Sequence, residues 1–331
     1  MGRRKKGRLL DGVLLLDKPQ GITSNGALQK VRWLYNARRA GHTGALDPLA
    51  TGVLPICFGE ATKFAKYLLE SDKAYFTTAQ LGEIRESGDS EGALVETRAI
   101  PSLTESDVET VLDRFRGETL QVPTMYSALK HQGRPLYEWA RKGITVEREP
   151  RPITVSELRL DGMTEDTLSL YVECSKGTYI RSLVEDVGLA LGCGAHVSML
   201  RRSRAGHFDL PVTVTLDFLT AQEGNFAALG EFIHPIDILL PNLPLICVNS
   251  SQTRSLLQGQ TVRISAAENS GLHRVYVPTQ AIEDLVGPIA NITKPCALGD
   301  EWLFAGVVEV TGNEAKPKRL VNFIAEPVAE A

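Results

Sequence analysis

Asp47 lies in the segment Gly41–Gly52, which reads Gly-His-Thr-Gly-Ala-Leu-Asp-Pro-Leu-Ala-Thr-Gly. A carboxylate can serve as a nucleophile or as a base without metal or cofactor. Gly41, Gly44 and Gly52 permit positive φ or the close approach of another backbone. Pro48 pushes Asp47 toward an extended conformation. The segment would thus present a carboxylate from a constrained loop. Asp-Pro also initiates ordinary turns, and spacing alone leaves that reading open. The loop has neither G-x-G-x-x-G nor the Walker G-K-[ST], so it is not a phosphate cradle.

Four further features could carry chemistry. Arg181 stands at the start of a predicted helix, between the apolar Ile180 and Leu183. A cation in a first helical turn opposes the macrodipole, so a nearby anion would hold it there. An i, i+4 pair with Glu185 is the simpler account. His42 could be a base, a wedge or a loop hydrogen-bonding group, and a structural histidine is the commoner role in such a setting. Tyr75 lies in an alternating strand, where a core or cross-strand aromatic is the commoner role. The clusters Arg38-Arg39 and Arg201-Arg202-Ser203-Arg204 could meet phosphates or form a solvated face.

These residues need a scaffold. Gly12–Leu16 reads as a buried strand, ended by the turn chemistry of Asp17-Lys18-Pro19-Gln20-Gly21. Ser24 is placed to cap a helix with Leu28, Val31 and Leu34 on one face. Val53–Phe58 and Tyr75–Leu81 read as strands, and Ala61, Phe64, Ala65 and Leu68 mark a helix. Thr104 and Asp107 resemble a capping box before the stripe Val108, Val111, Leu112 and Phe115. Leu136, Trp139 and Ala140 suggest a short helix. Leu168, Leu170, Val172 and Cys174 alternate as in a half-buried strand. Ile180, Leu183, Val184 and Val187 form the buried face of the helix that carries Arg181. Strands and helices mix without a regular βα repeat, which favours α+β over a doubly wound sheet. Pro235, Pro241 and Pro244 mark a connector, and a small C-terminal β domain is expected from about Leu245.

Composition sets the outer limits. The chain has 331 residues, 36 basic and 40 acidic, with a net charge of −4 and 43% hydrophobic residues. These values suit a soluble globular protein of one large domain or two. No apolar run reaches the ~18–20 residues that span a bilayer, and no signal segment follows the basic start, so an intracellular protein is expected. Cys57, Cys174, Cys193, Cys247 and Cys296 are scattered and lack zinc spacing, as expected of free thiols. The mean charge hides an asymmetry: residues 1–80 hold 13 basic and 6 acidic residues, a net of +7. Residues 81–331 hold 23 and 34, a net of −11. This can mark a local basic face on an acidic body, although five of the thirteen cations sit in residues 1–10.

Five separated blocks resemble the TruB family of bacterial tRNA pseudouridine-55 synthases. They are Gly12–Ser24; Gly41–Cys57; Tyr126–Lys130 with Leu136–Gly143; Cys174–Leu183; and Ala195–Arg202 followed by Gly206. The C-terminal pieces Leu257–Gln260 and Phe304–Val307 look like an RNA-binding PUA-type domain, a weaker match. The resemblance implies an α+β pseudouridine-synthase domain with a mixed, mainly antiparallel sheet flanked by helices, plus a small PUA-like β domain. The expected division is a basic flexible arm over 1–10, a catalytic domain over 11–240 with a connector from about 211, and the PUA-like domain over 245–325.

The activity implied is isomerisation of uridine to pseudouridine at position 55, in the T loop of tRNA, without metal or cofactor. Asp47 would be the catalytic aspartate, Arg181 its ion-pair partner, and Tyr75 the aromatic packed on the target base. His42 would help to displace that base, while Lys18, Tyr179 and Leu200 line the pocket. The RNA-facing groove would draw on Lys18, Arg38, Arg39, Arg181 and the Arg201–Arg204 cluster, Arg202 included. The base would be flipped out of the folded RNA, at a cost of a few kcal/mol. Asp47 could attack C1′, add to C6 or remove a sugar proton. The expected protein is a cytoplasmic monomer that binds the T stem-loop, with no membrane and no metal partner.

The sequence departs from the family pattern at Glu83–Gly92, where a Thr-Asp-Thr-like stretch is usual, at Pro123-Thr124, and at Ala45. Rival readings are a tRNA base-exchange transglycosylase, which needs a zinc site, a non-catalytic protein that binds or folds the tRNA elbow, and a guide-RNA-dependent relative.

Overall fold

The structure is a computed structural model that describes residues 7–265, 269–291 and 296–325. Residues 1–6 of the expected basic arm lie outside them. From Gly7 the chain is tied to the body. The Arg8 amide donates to the Asn36 carbonyl at 2.6 Å, and the Arg38 amide donates to the Arg8 carbonyl at 3.0 Å.

Seven long strands build the main sheet: β1 (Gly12–Lys18), β2 (Thr51–Phe58), β3 (Lys73–Leu81), β4 (Gly117–Gln121), β5 (Arg151–Met163), β6 (Thr167–Cys174) and β7 (Ala195–Ala205). Their spatial order is β1-β2-β7-β3-β6-β5-β4, with Val214–Thr215 beyond β1. All neighbouring long strands are antiparallel except β2 and β7, which meet in parallel over only two residue pairs, Thr51–Arg201 and Gly52–Arg202. The sheet is therefore mixed and mainly antiparallel, as expected. The helices α1 (Ser24–Leu34), α2 (Glu105–Leu112) and α3 (Ile180–Ala190) flank it.

The apolar runs of β1 and β2 have a physical reason. Leu14, Leu16, Leu54 and Ile56 bury themselves in the helix-side core. The alternate residues Val13, Leu15, Val53 and Cys57 join a second core, shared with Tyr276, Phe304, Val307 and Val321 of the C-terminal region. A strand covered on both faces reads as continuously apolar. That region folds into a five-stranded sheet of Leu245–Cys247, Val262–Arg263, Gly271–Pro278, Trp302–Thr311 and Glu314–Leu320. The connector between the sheets is not a loose tether: Ile236, Leu239 and Leu240 are buried in the shared core. The Tyr276 hydroxyl donates to buried Asp237 at 2.9 Å, and the Asn291 amide donates to Asp11 across the same seam.

Two local expectations change. The helix expected from Ala61 to Leu68 is a 3-10 turn, Gly59–Lys63, followed by a short α-helix, Ala65–Leu69. Ser24 does not cap α1. Thr23 does, its hydroxyl accepting from the Gly26 amide at 3.0 Å. The capping box at Thr104 and Asp107 forms with both reciprocal bonds, at 3.2 and 2.9 Å.

Candidate active site

The loop that carries Asp47 is held from three sides. Its entry, Ala40–His42, pairs with the far end of β2, His42 opposite Ile56. Its exit is β2 itself, where Gly52 packs on the backbone of Arg202. Gly52 has φ +105, and a Cβ there would lie 2.2 Å from the Arg202 carbonyl oxygen, so no other residue fits. In between, Ser24 at the start of α1 grips the residue before Asp47. Its hydroxyl donates to the Leu46 carbonyl at 3.0 Å and accepts from the Leu46 amide at 2.6 Å.

Asp47 sits on the floor of a recess. Protein atoms crowd its carboxylate, yet 41% of its side-chain surface stays open to solvent. Its Oδ2 is 3.0 Å from Nε of Arg181. The Arg181 guanidinium is buried and fully occupied. Nη1 donates to the Ser87 carbonyl at 2.8 Å and lies 3.4 Å from Oδ2 of Asp89, and Nη2 donates to the Tyr126 carbonyl at 2.8 Å. Glu185, the simpler partner suggested by sequence, makes no ion pair with Arg181 at contact distance. It is half-buried near Gly88 with its carboxyl pushed up to about 7 by desolvation.

The start of α3 that carries Arg181 is itself fixed by a side chain. Gln121, buried at the end of β4, accepts from the Tyr179 amide at 2.8 Å and donates to the Tyr179 carbonyl at 3.0 Å. Such a pair satisfies both backbone groups of the residue that precedes the helix.

Tyr75, Thr77, Leu200 and Arg202 share one face of the β3–β7 pair, with Tyr75 opposite Arg202 and Thr77 opposite Leu200. Tyr75 and Leu200 are almost buried, and Tyr75 lies close enough to Asp47 for the two to interact electrostatically. Lys18 is completely buried, with its ammonium on the carbonyls of Pro19 and Ile22 at 2.9 and 2.7 Å. Burial lowers its pKa to about 8, against the attraction of Asp47. Tyr179 is half-buried at the start of α3, and burial raises its hydroxyl pKa. His42 is half-buried with a buried Nδ1 that has no partner. Desolvation first, and Arg202 second, lower its pKa, so the ring is neutral near pH 7.

Two opposing effects set the Asp47 carboxyl. Burial raises its pKa and is the larger, Arg181 lowers it, Asp89 raises it and Lys18 lowers it. The net direction is up, so the ion pair offsets desolvation only in part.

The basic groove differs from the expectation. Arg202 is not a surface cation: it is 2% exposed, and its guanidinium donates to the carbonyls of Val53 at 2.7 Å and Gly44 at 3.2 Å. It also lies beside the Tyr75 hydroxyl. Its guanidinium lies under the loop, bound to the protein's own carbonyls. Arg201 is bound through both terminal nitrogens to Asp17 at 3.1 and 2.7 Å, and Arg204 is paired with Glu173. Of the sequence candidates outside the recess, Arg38 and Arg39 remain exposed.

Sequence reasoning missed Ser24 as a loop anchor, Gln121, and the Asp89–Ser87 clamp. Asp89 lies within Glu83–Gly92, the segment that departs from the family pattern, so no motif drew attention to it. A signal existed in Gly88-Asp89, a turn pair beside acidic neighbours. Among the described residues no group of His, Cys, Asp and Glu could hold a metal ion.

Known proteins resemble the chain over most of its length. Residues 32–180 match the TruB family pseudouridylate synthase N-terminal domain, and residues 181–241 match the tRNA pseudouridylate synthase B C-terminal domain. The chain is 54% identical over 270 residues to the tRNA pseudouridine synthase B of Ectopseudomonas mendocina, covering 81% of this chain and 88% of that protein. It is 48% identical over 323 residues to that of Chromohalobacter salexigens, covering 97% and 98%. Among solved structures, a chain of a Cbf5-Nop10-Gar1 complex superposes with a TM-score of 0.62 at 27% identity, covering 82% of this chain and 76% of that one. A chain of an H/ACA RNP bound to a substrate RNA containing 2'-deoxyuridine shares the fold, with a TM-score of 0.66 at 21% identity and coverage of 97% and 91%. With both family domains matched in order and this extent of identity, the chain belongs to the TruB family of pseudouridylate synthases.

Proposed function

We propose that the protein isomerises uridine to pseudouridine in the T loop of tRNA, at position 55, and does so without metal or cofactor. The observation that carries this reading is the Asp47–Arg181 contact of 3.0 Å, with Asp47 still open to solvent and the nearly buried Tyr75 close by. The reaction breaks the N1–C1′ bond, turns the base and joins C5 to C1′. The C5 hydrogen leaves, and N1 gains a proton.

Asp47 supplies the carboxylate that acts on the sugar or the base. Arg181 aligns it and favours its ionised form. Tyr75 packs on the flipped base, in a manner tolerant of base identity. Leu200 keeps water from the detached uracil. Lys18 and Tyr179 line the pocket. His42, with its ring neutral, suits displacement of the base. Arg38 and Arg39 meet phosphates. We assign residues 11–240 to catalysis and 245–325 to RNA binding by a PUA-like domain. A cytoplasmic monomer completes the proposal.

The test is tRNA labelled with tritium at uridine C5. Wild-type protein is expected to release tritium from the target uridine, and absence of release from unmodified tRNA overturns the reading. A second expected result concerns Ser24. Ser24→Ala leaves the buried Leu46 amide without its acceptor, at a cost of about 1–3 kcal/mol. Tritium-release kinetics should show kcat down about tenfold, since this is close to what 1.4 kcal/mol of misplacement costs. KM should change much less. An unchanged kcat would remove the anchoring role.

A further inference from the structure

The far end of α1 carries cations that no carboxylate among the described residues neutralises. Lys30 and Arg32 lie in its last turns, and Arg38 and Arg39 follow directly; all four are exposed. None has a carboxylate at ion-pair distance among the described residues. By contrast Arg85, Arg98, Arg116, Arg159, Arg201 and Arg204 are each paired with Asp or Glu. The α1 helix itself contains no acidic residue. One cation in a last turn is accounted for by the helix macrodipole. Four unpaired cations are not.

Trp33 stands among them, 61% exposed, one helical step from Lys30. The Phe58 and Leu229 sides of the helix are served instead by Tyr35, which is buried and donates to the Leu229 carbonyl at 2.8 Å. Trp33 is therefore not needed for packing. Arg8 adds a fifth cation. Its backbone is bound to Asn36 and Arg38, and its guanidinium lies 4.3 Å over the Phe226 ring.

We propose that this end of α1, with Arg8, Lys30, Arg32 and Trp33 beside the phosphate-facing Arg38 and Arg39, is a second RNA-binding surface, which takes tRNA outside the reacting stem-loop. The cations meet phosphates, and Trp33 stacks an unpaired base. Unpaired cations interleaved with an exposed aromatic are what a single-stranded or looped RNA segment requires. Position fits as well. Ser24 at the near end of α1 holds the Asp47 loop, and Trp33 is nine residues on, about 14 Å along the axis at 1.5 Å per residue. A tRNA whose target uridine enters the recess thus has other nucleotides within reach of the surface. This inference rests on the tRNA reading above.

The experiment measures binding of full-length unmodified tRNA and of an isolated stem-loop carrying the same target uridine. Trp33→Ala should lower the ratio of the two affinities about fivefold or more, the effect of losing one stacked base. Trp33→Phe, which keeps an aromatic face, should restore most of it. The double variant Lys30→Gln, Arg32→Gln should reduce the slope of log affinity against log salt by about 1 for each phosphate no longer neutralised, for full-length tRNA only. An unchanged ratio with Trp33→Ala overturns the proposal, as does an equal loss for both RNAs or an unaltered salt slope. Wild-type tritium release from the stem-loop is read in parallel. Its absence defeats the catalytic reading, whereas its presence with an unchanged ratio defeats only the second surface.

Discussion

Asp47→Asn should lower tritium release from labelled tRNA by about a thousandfold or more, while tRNA binding stays within a few-fold of wild type. The amide is nearly isosteric and keeps an oxygen that can accept from Nε of Arg181, so the 3.0 Å contact has a neutral counterpart. What is lost is the ionised oxygen that acts as nucleophile or base, a role whose removal typically costs 10²–10⁴ or more. Binding should not suffer, because an anion on the floor of the recess repels the RNA backbone rather than attracting it. Single-turnover release and equilibrium binding, measured on the same preparation, separate the two quantities. Normal release by the variant would remove Asp47 from the chemistry. Loss of both quantities together would assign it a structural role.

Arg181→Gln should do more than weaken catalysis. The guanidinium is 5% exposed and bridges Asp47, Asp89 and the carbonyls of Ser87 and Tyr126. Removing its charge leaves Asp89, which is 3% exposed, without a cation beside it. Uncompensated buried charges of this kind cost about 3–5 kcal/mol. Denaturant unfolding should register that loss. Tritium release at neutral pH should fall about 100-fold or more, as for other charge-positioning groups in closed sites.

The pH dependence gives the sharper test. Asp47 must be ionised to act, so activity is lost as pH falls through its pKa. Burial already raises that pKa, and Arg181 is the largest influence pulling it down. Without Arg181 the pKa rises further, and the acid limb of kcat/KM should move to higher pH. An acid limb at the wild-type position would mean that Arg181 does not set the ionisation of Asp47. Arg181→Lys should recover part of the shift but not the full rate, because an ammonium cannot reach four acceptors spread around a planar fork.

Some of this site was legible in the chain and some was not, for physical reasons. The strands β1 and β2 are covered on both faces, so their apolar runs are unbroken and easily read. Glycines and a proline draw attention to Asp47, but spacing favours a turn there, and its role comes from the family resemblance alone. The long strand β7 escapes notice, although it lies in the middle of the sheet. Its buried positions include His196 and Arg202, and no apolar alternation survives in Ala-His-Val-Ser-Met-Leu-Arg-Arg-Ser-Arg-Ala. The same burial turns Arg202 from an apparent surface cation into a support beneath the loop. Asp89 and Ser24 escape for a different reason. Each acts across a large sequence separation, Ser24 on Leu46 and Asp89 on Arg181. Local pattern carries no trace of such partners. The expectation that Ser24 caps α1 fails because Thr23 takes that role and releases the serine hydroxyl for the loop.

The apolar seam between the two sheets bears on how the molecule comes apart. Val13, Leu15, Val53 and Cys57 from the main sheet share one core with Tyr276, Phe304, Val307 and Val321 from the other. Neither side can melt without exposing the other to water, so a large apolar penalty falls on any half-folded state. The shared core therefore links the melting of one sheet to that of the other. Cutting the chain between them would thus not yield an independent catalytic piece. It would yield a sheet with one bare greasy face, prone to self-association.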